Sequence, residues 1–99
     1  MVKLTIMHPR QPGLRFDRDY FLNRHIPLLR RRWASHGMLD ATVVRGLGGI
    51  SDATYHFIAT ATFRSFEDLQ QALRTHGKEI FGDVASYADA APILYVSPQ

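Results

Sequence analysis

Along Val2 to His8, Leu4 and Ile6 alternate with Lys3, Thr5 and Met7, a period of two that predicts a first strand. Pro9, Pro12 and Gly13 then impose a turn or loop. From Asp17 the period changes. Asp17 suits a helix N-cap, Asp19 sits where a negative charge meets the positive end of the helix dipole, and Phe16 and Phe21 fit a hydrophobic staple. At about 100° per residue, Leu22, Ile26, Leu29 and Trp33 share one face, which Phe21 and Leu28 widen. Pro27 lies inside this pattern and predicts a kink, because the Asn23 carbonyl loses its amide partner. Gly37 is placed to end the helix.

Ala41 to Leu47 reads as a second strand, loosened at its far end by Gly46, Gly48 and Gly49, which are expected to form a turn. Thr54 to Phe63 is a third strand. It points Tyr55, Phe57, Ala59, Ala61 and Phe63 one way and His56, Ile58, Thr60 and Thr62 the other. Ser65 and Asp68 resemble a capping box for a second helix through about Thr75, with Phe66, Leu69 and Leu73 inward. Lys78 to Val84 reads as a short extra helical turn, and Ile93 to Val96 as the last strand. The order βαββαβ predicts a ferredoxin-like α+β sandwich, a four-stranded antiparallel sheet with two helices on one face. The second face then mixes Ile58 with His56, Thr60 and Thr62. Such a face suits a partner subunit, a pocket, or both.

Ninety-nine residues make one domain spanning 1–99. No apolar run is long enough for a membrane span, and the start, Met-Val-Lys-Leu-Thr-Ile, lacks the apolar stretch of a signal peptide. A cytoplasmic location is expected. Cysteine is absent, which excludes disulfides, thiolate metal sites and a Cys nucleophile. Twelve basic residues, ten of them arginine, face nine acidic ones, a surplus that permits anionic ligands without identifying any. Arg30, Arg31 and Arg32 fall outside the apolar stripe and are expected to be solvated.

The five histidines show no His-x-x-x-His spacing, and neither a P-loop, a nucleophile elbow nor a dinucleotide fingerprint occurs, so neither a metal nor a cofactor is expected. On the helical wheel His25 lies inside the apolar arc, pointing at the sheet ahead of Pro27. It is either a structural ring bonded to backbone groups or a general acid/base. His56 is a ligand contact if its face lines a cavity and an interface residue if that face meets another subunit. Asp83 and Tyr87 can approach a pocket or cap the surface. A nucleic-acid-binding module of the RRM type would need a basic-Gly-aromatic strand motif, which Thr54 to Phe63 lacks, so no nucleic acid is expected.

The run Phe16-Asp17-Arg18-Asp19-Tyr20-Phe21-Leu22-Asn23-Arg24-His25-Ile26-Pro27-Leu28 resembles the Phe-Asp-x-x-Tyr-Tyr-x-x-x-His-x-Pro-Leu signature of the EthD family, named for ethyl tert-butyl ether degradation. Tyr55-His56, Phe63-x-Ser65 and the ending Gly82 to Pro92, with Asp83 and Tyr87, resemble it too. Phe21 departs from the pattern, replacing its second tyrosine. The resemblance implies a dimeric α/β barrel, two subunits joined through their open sheet faces. The first functional expectation is a small catabolic enzyme acting on an apolar or aromatic oxygenated compound by proton transfer, which fits a chain without cysteine or a cofactor motif. In that reading His25 moves a proton with help from Asp83, while Tyr20, His56 and Tyr87 orient the ligand. The alternative is a non-catalytic binding protein that delivers such a compound to an oxygenase. An enclosed, mainly apolar pocket is expected between the first helix and the open sheet face, with His25, His56 and the Asp83 to Tyr87 segment as its polar groups.

Overall fold

The structure, a computed structural model, describes residues 1–46 and 54–98. Strand β1 (Val2–Pro9) leads into helix α1 (residues 18–33), and β2 (Met38–Arg45) and β3 (Tyr55–Phe63) follow. Helix α2 (Phe66–Gly82) and β4 (Ile93–Pro98) complete the chain. The strands lie in the order β2-β3-β1-β4, every pair antiparallel. Both helices cover one face, which is the expected ferredoxin-like α+β sandwich. The turn expected at Gly48 and Gly49, and Leu47 at the end of the second strand, lie outside the described residues.

Helix α1 is built in three stretches. An α-turn over Arg18–Tyr20 is capped by Asp17, whose carboxylate accepts from the Tyr20 amide at 3.1 Å. A π-turn follows over Phe21–His25, and α-helix resumes over Ile26–Trp33. Within the π-turn the Ile26 amide donates to the Phe21 carbonyl, five residues back. Pro27 explains this. It has no N–H, and its ring would crowd the Asn23 carbonyl of a continuous α-helix. Widening the preceding turn relieves both problems, and Pro27 then falls at the start of a fresh α-stretch, where no amide is required. The expected kink is therefore a π-turn. The extra residue rotates what precedes it, so Phe21 and not Leu22 joins Ile26, Leu29 and Trp33 in the core, and Leu22 is 40% exposed.

Helix α2 is continuous through Gly77, where a break followed by a separate turn was expected. Leu69, Ala72, Gly77 and Ile80 make one buried stripe, and that packing offsets the roughly 1 kcal/mol cost of a mid-helix glycine. The Ser65 hydroxyl caps it, accepting from the Asp68 amide at 3.1 Å. Phe66 precedes the stripe and is exposed, contrary to its expected inward role. Gly37 ends the first helical segment at φ +83°, with the Asp68 side chain occupying the space a Cβ would need.

The core lies between the helices and the covered face of the sheet. Leu4, Ile6, Phe57, Ala59, Ala61 and Phe63 meet Phe21, Leu29, Trp33, Leu69 and Ile80. Trp33 is wholly buried, its ring 5.5 Å from Phe63 and 6.3 Å from Phe81, and its indole Nε1 has no hydrogen-bond partner among the described residues. The strand registers arrange the open face in graded rows. Val44, Ile58, Met7 and Ile93 line up at one end, Thr42, Thr60, Thr5 and Tyr95 in the middle, and Asp40, Thr62, Lys3 and Ser97 at the other end. Among the described residues no helix is long and apolar enough to cross a membrane.

Candidate functional site

A short clasp joins the start of α1 to the segment after α2. Phe16 pairs antiparallel with Ala88, the Asp17 amide donates to the Tyr87 carbonyl at 2.7 Å, and the Asp89 amide donates to the Arg15 carbonyl at 3.1 Å. The Arg15 guanidinium donates to the carbonyls of Ala85, at 2.8 Å, and Ser86. This clasp fixes the 3-10 turn Asp83–Ser86 and the following Tyr87 above the π-turn of α1.

Asp83 thereby reaches two residues of α1. Its Oδ2 lies 3.0 Å from His25 Nδ1, and its Oδ1 accepts from the Tyr20 hydroxyl at 2.7 Å. The His25 side chain is 3% exposed and the Asp83 side chain 18%. With the carboxylate accepting, Nδ1 carries the hydrogen and the lone pair falls on Nε2. Burial lowers the His25 pKa below its ordinary value, and the hydrogen bond and charge of Asp83 partly restore it. The ring is therefore mainly neutral at pH 7, with a basic nitrogen whose orientation a carboxylate sets. Such a pair can accept a proton and return it.

Tyr87 packs its ring 4.6 Å from His25, but its hydroxyl points elsewhere, lying 2.8 Å from His8 Nε2. Burial, with Asp83 and Tyr20 nearby, pushes the Tyr87 pKa far up, so the phenol stays protonated. His8 had no role in the sequence reading. It continues the inward parity of Leu4 and Ile6, and that parity was the available signal. It is 2% exposed, and burial, followed by the charges of His25 and His56, lowers its pKa from 6.5 to about 4. Its Nδ1 is buried without a partner among the described residues.

The structure thus brings together His25, Asp83, Tyr20 and Tyr87, and adds His8. His56 stands apart. The register of β1 on β3 shifts where Pro9 meets Tyr55, and the His56 ring stacks on Phe16 at 4.3 Å and 13°. Among the described residues α1 packs on the covered face and encloses His25 there, so the pocket expected between α1 and the open sheet face is not seen. His56 instead lines a surface recess of about 320 Å³ with Phe16, Phe57, Arg10, Arg18 and Arg45. Tyr20 lines a second recess, of about 560 Å³, with Asp17, Asp19, Asn23 and Arg24. Among the described residues no group of three or more His, Asp and Glu side chains is placed to hold a metal ion.

The fold is a ferredoxin-like α+β sandwich that holds a carboxylate–histidine pair under its first helix. Residues 14–91 match the EthD domain model, and the chain belongs to the EthD family. It is similar to an EthD-like protein from Ralstonia eutropha, at 35% identity over 97% of this chain and 88% of that one, with a TM-score of 0.84. An ethyl tert-butyl ether degradation family protein from Bacillus halodurans is 26% identical over 100% and 98% of the two chains, with a TM-score of 0.78. The cofactor-independent oxygenase SnoaB from Streptomyces nogalater shares the fold alone, at 12% identity over 99% and 92%, with a TM-score of 0.54. No curated protein matches the sequence.

Proposed function

We propose that the chain is a cofactor-independent enzyme that moves protons on a small apolar or aromatic oxygenated compound in catabolism, working as a homodimer joined through the open sheet faces. The 3.0 Å contact between His25 Nδ1 and Asp83 Oδ2, under cover of α1, is the observation that carries this reading. His25 acts as base and then acid through Nε2. Asp83 holds the tautomer and steadies the imidazolium that forms, as the carboxylate of a catalytic triad does. Tyr20 holds the second oxygen of Asp83, and Tyr87 packs against the imidazole. His56 meets the ligand at the surface recess. The likeness to a cofactor-independent oxygenase supports the fold's capacity for chemistry without a prosthetic group.

A second reading, a carrier that delivers such a compound to an oxygenase, draws on one observation: His25 and Tyr87 are almost wholly enclosed. Turnover separates the two. The test is to incubate the protein with a panel of single-ring phenols, ketones and lactones in deuterated water and follow conversion and deuterium uptake by NMR. The expected result is activity that His25→Asn lowers by about 10²–10⁴-fold, the usual share of a general acid/base, with an unchanged melting temperature. A variant that melts several degrees lower yet turns over normally would overturn the assignment.

A further inference from the structure

Four of the ten arginines are tied to other groups. Arg15 and Asp89, Arg32 and Glu79, and Arg64 and Asp68 form ion pairs, and Arg30 donates to the Ala41 carbonyl. Arg10, Arg18 and Arg45 behave differently. They come from three separate places, just after β1, at the first residue of α1 and at the last residue of β2, yet they frame one recess of about 320 Å³. Among the described residues none of their side chains makes an ion pair or a hydrogen bond, and no carboxylate of the described residues lines the recess. Backbone bonds fix the approach: the Arg10 amide donates to the Thr54 carbonyl and the Gly46 amide to the His56 carbonyl, each at 3.0 Å. Three like charges gathered around a concavity repel one another unless an anion joins them.

The floor of the recess is aromatic. Phe16 and His56 stack at 4.3 Å, and Phe57 lies 5.8 Å from Phe16. Burial and the Arg10 charge both lower the His56 pKa, so its ring is neutral at pH 7 and acts as flat surface more than as a fourth cation. Guanidinium groups match planar carboxylates in a two-point fork, and aromatic faces take the flat body of a ring. The volume falls near the lower end of small-molecule sites and fits a single-ring ligand.

We propose that this recess binds a small aromatic carboxylic acid, its carboxylate held by Arg10, Arg18 and Arg45 and its ring laid on the Phe16–His56 pair. Inorganic phosphate would use the cations and leave the aromatic floor bare. An RNA backbone would need a basic stripe in place of one concave cluster. Phe16 connects this recess to the enclosed site, since its ring is 5.6 Å from His8 and 5.5 Å from Phe21, on which His25 stacks at 5.8 Å. Identifying the acid as the substrate of the His25–Asp83 pair rests on the function proposed above; its binding does not.

The experiment titrates the full chain at low salt with benzoate, following the arginine Nε–H signals by NMR and the heat by calorimetry. Benzamide, inorganic phosphate and a short single-stranded RNA serve as comparisons. Benzoate is expected to bind at least about tenfold more tightly than benzamide or phosphate, and Arg10→Gln and Arg45→Gln each to weaken it about tenfold, the scale of one charge-assisted hydrogen bond. Both arginines are exposed, and equal melting temperatures confirm that the variants fold. His25→Asn is expected to leave benzoate affinity unchanged, so failure of the acid/base reading and failure of this one are separate results. Equal binding of benzoate and benzamide, phosphate binding as tightly as benzoate, RNA affinity lost in the same variants, or indifference to both substitutions would each overturn the proposal.

Discussion

Replacing His8 by leucine should flatten the dependence of stability on pH. His8 titrates near 4 in the fold and near 6.5 in the unfolded chain, because burial among Phe21, Phe16 and Tyr87 penalises the imidazolium. Between those values the unfolded chain binds a proton that the native state refuses. The stability tied to the neutral ring is therefore complete above pH 6.5, falls as the pH drops, and is lost by about pH 4. Two and a half pH units at about 1.4 kcal/mol each amount to roughly 3–4 kcal/mol. At pH 7 the substitution carries a different cost: it strands the wholly buried Tyr87 hydroxyl, for about 1–3 kcal/mol. Leucine should thus be less stable than wild type at pH 7 and close the gap, or reverse it, near pH 4.5. Adding Tyr87→Phe removes the second partner and should recover most of the loss at pH 7. Urea unfolding at half-unit intervals, read by circular dichroism, gives both curves. Parallel curves for wild type and His8→Leu would refute the reasoning, as they would mean that His8 takes up a proton as readily in the fold as in the unfolded chain.

Gly37→Ala should destabilise the protein by more than about 1 kcal/mol, because the left-handed backbone is strained for alanine and its Cβ would meet the Asp68 side chain; thermal melting checks this. Ile58→Glu, on the apolar row of the open face, should leave the fold intact and convert the expected dimer to monomer in light scattering at micromolar concentration. A wild-type protein that is itself a stable monomer would refute the dimer.

The strands were legible because β1 and β3 alternate cleanly, and the caps at Asp17 and Ser65 were legible because capping is local chemistry. The inward direction of His25 also followed from the wheel. Leu22 did not, since a wheel at one fixed angle cannot include a π-turn. Pro27 signalled a disturbance without specifying its form. The pairing of His25 with Asp83 joins residues 58 apart, and that of His8 with Tyr87 joins residues 79 apart. Such contacts depend on how the clasp of Arg15 and Asp89 seats the C-terminal segment, which no local pattern encodes. The arginine recess is of the same kind. Its members are unremarkable in sequence, and only the sheet order brings the ends of β1 and β2 to the start of α1.

Trp33 gives the chain a built-in optical reporter. It is the single tryptophan, sealed between the two helices and β3, with no polar partner among the described residues for its indole nitrogen. Its fluorescence should be shifted to the blue in the native state and move to the red when the helix layer separates from the sheet. Eight residues, about 12 Å of helix, separate it from His25. A ligand bound beside the imidazole would leave this emission almost unchanged, so the signal follows unfolding without mixing in occupancy of the site.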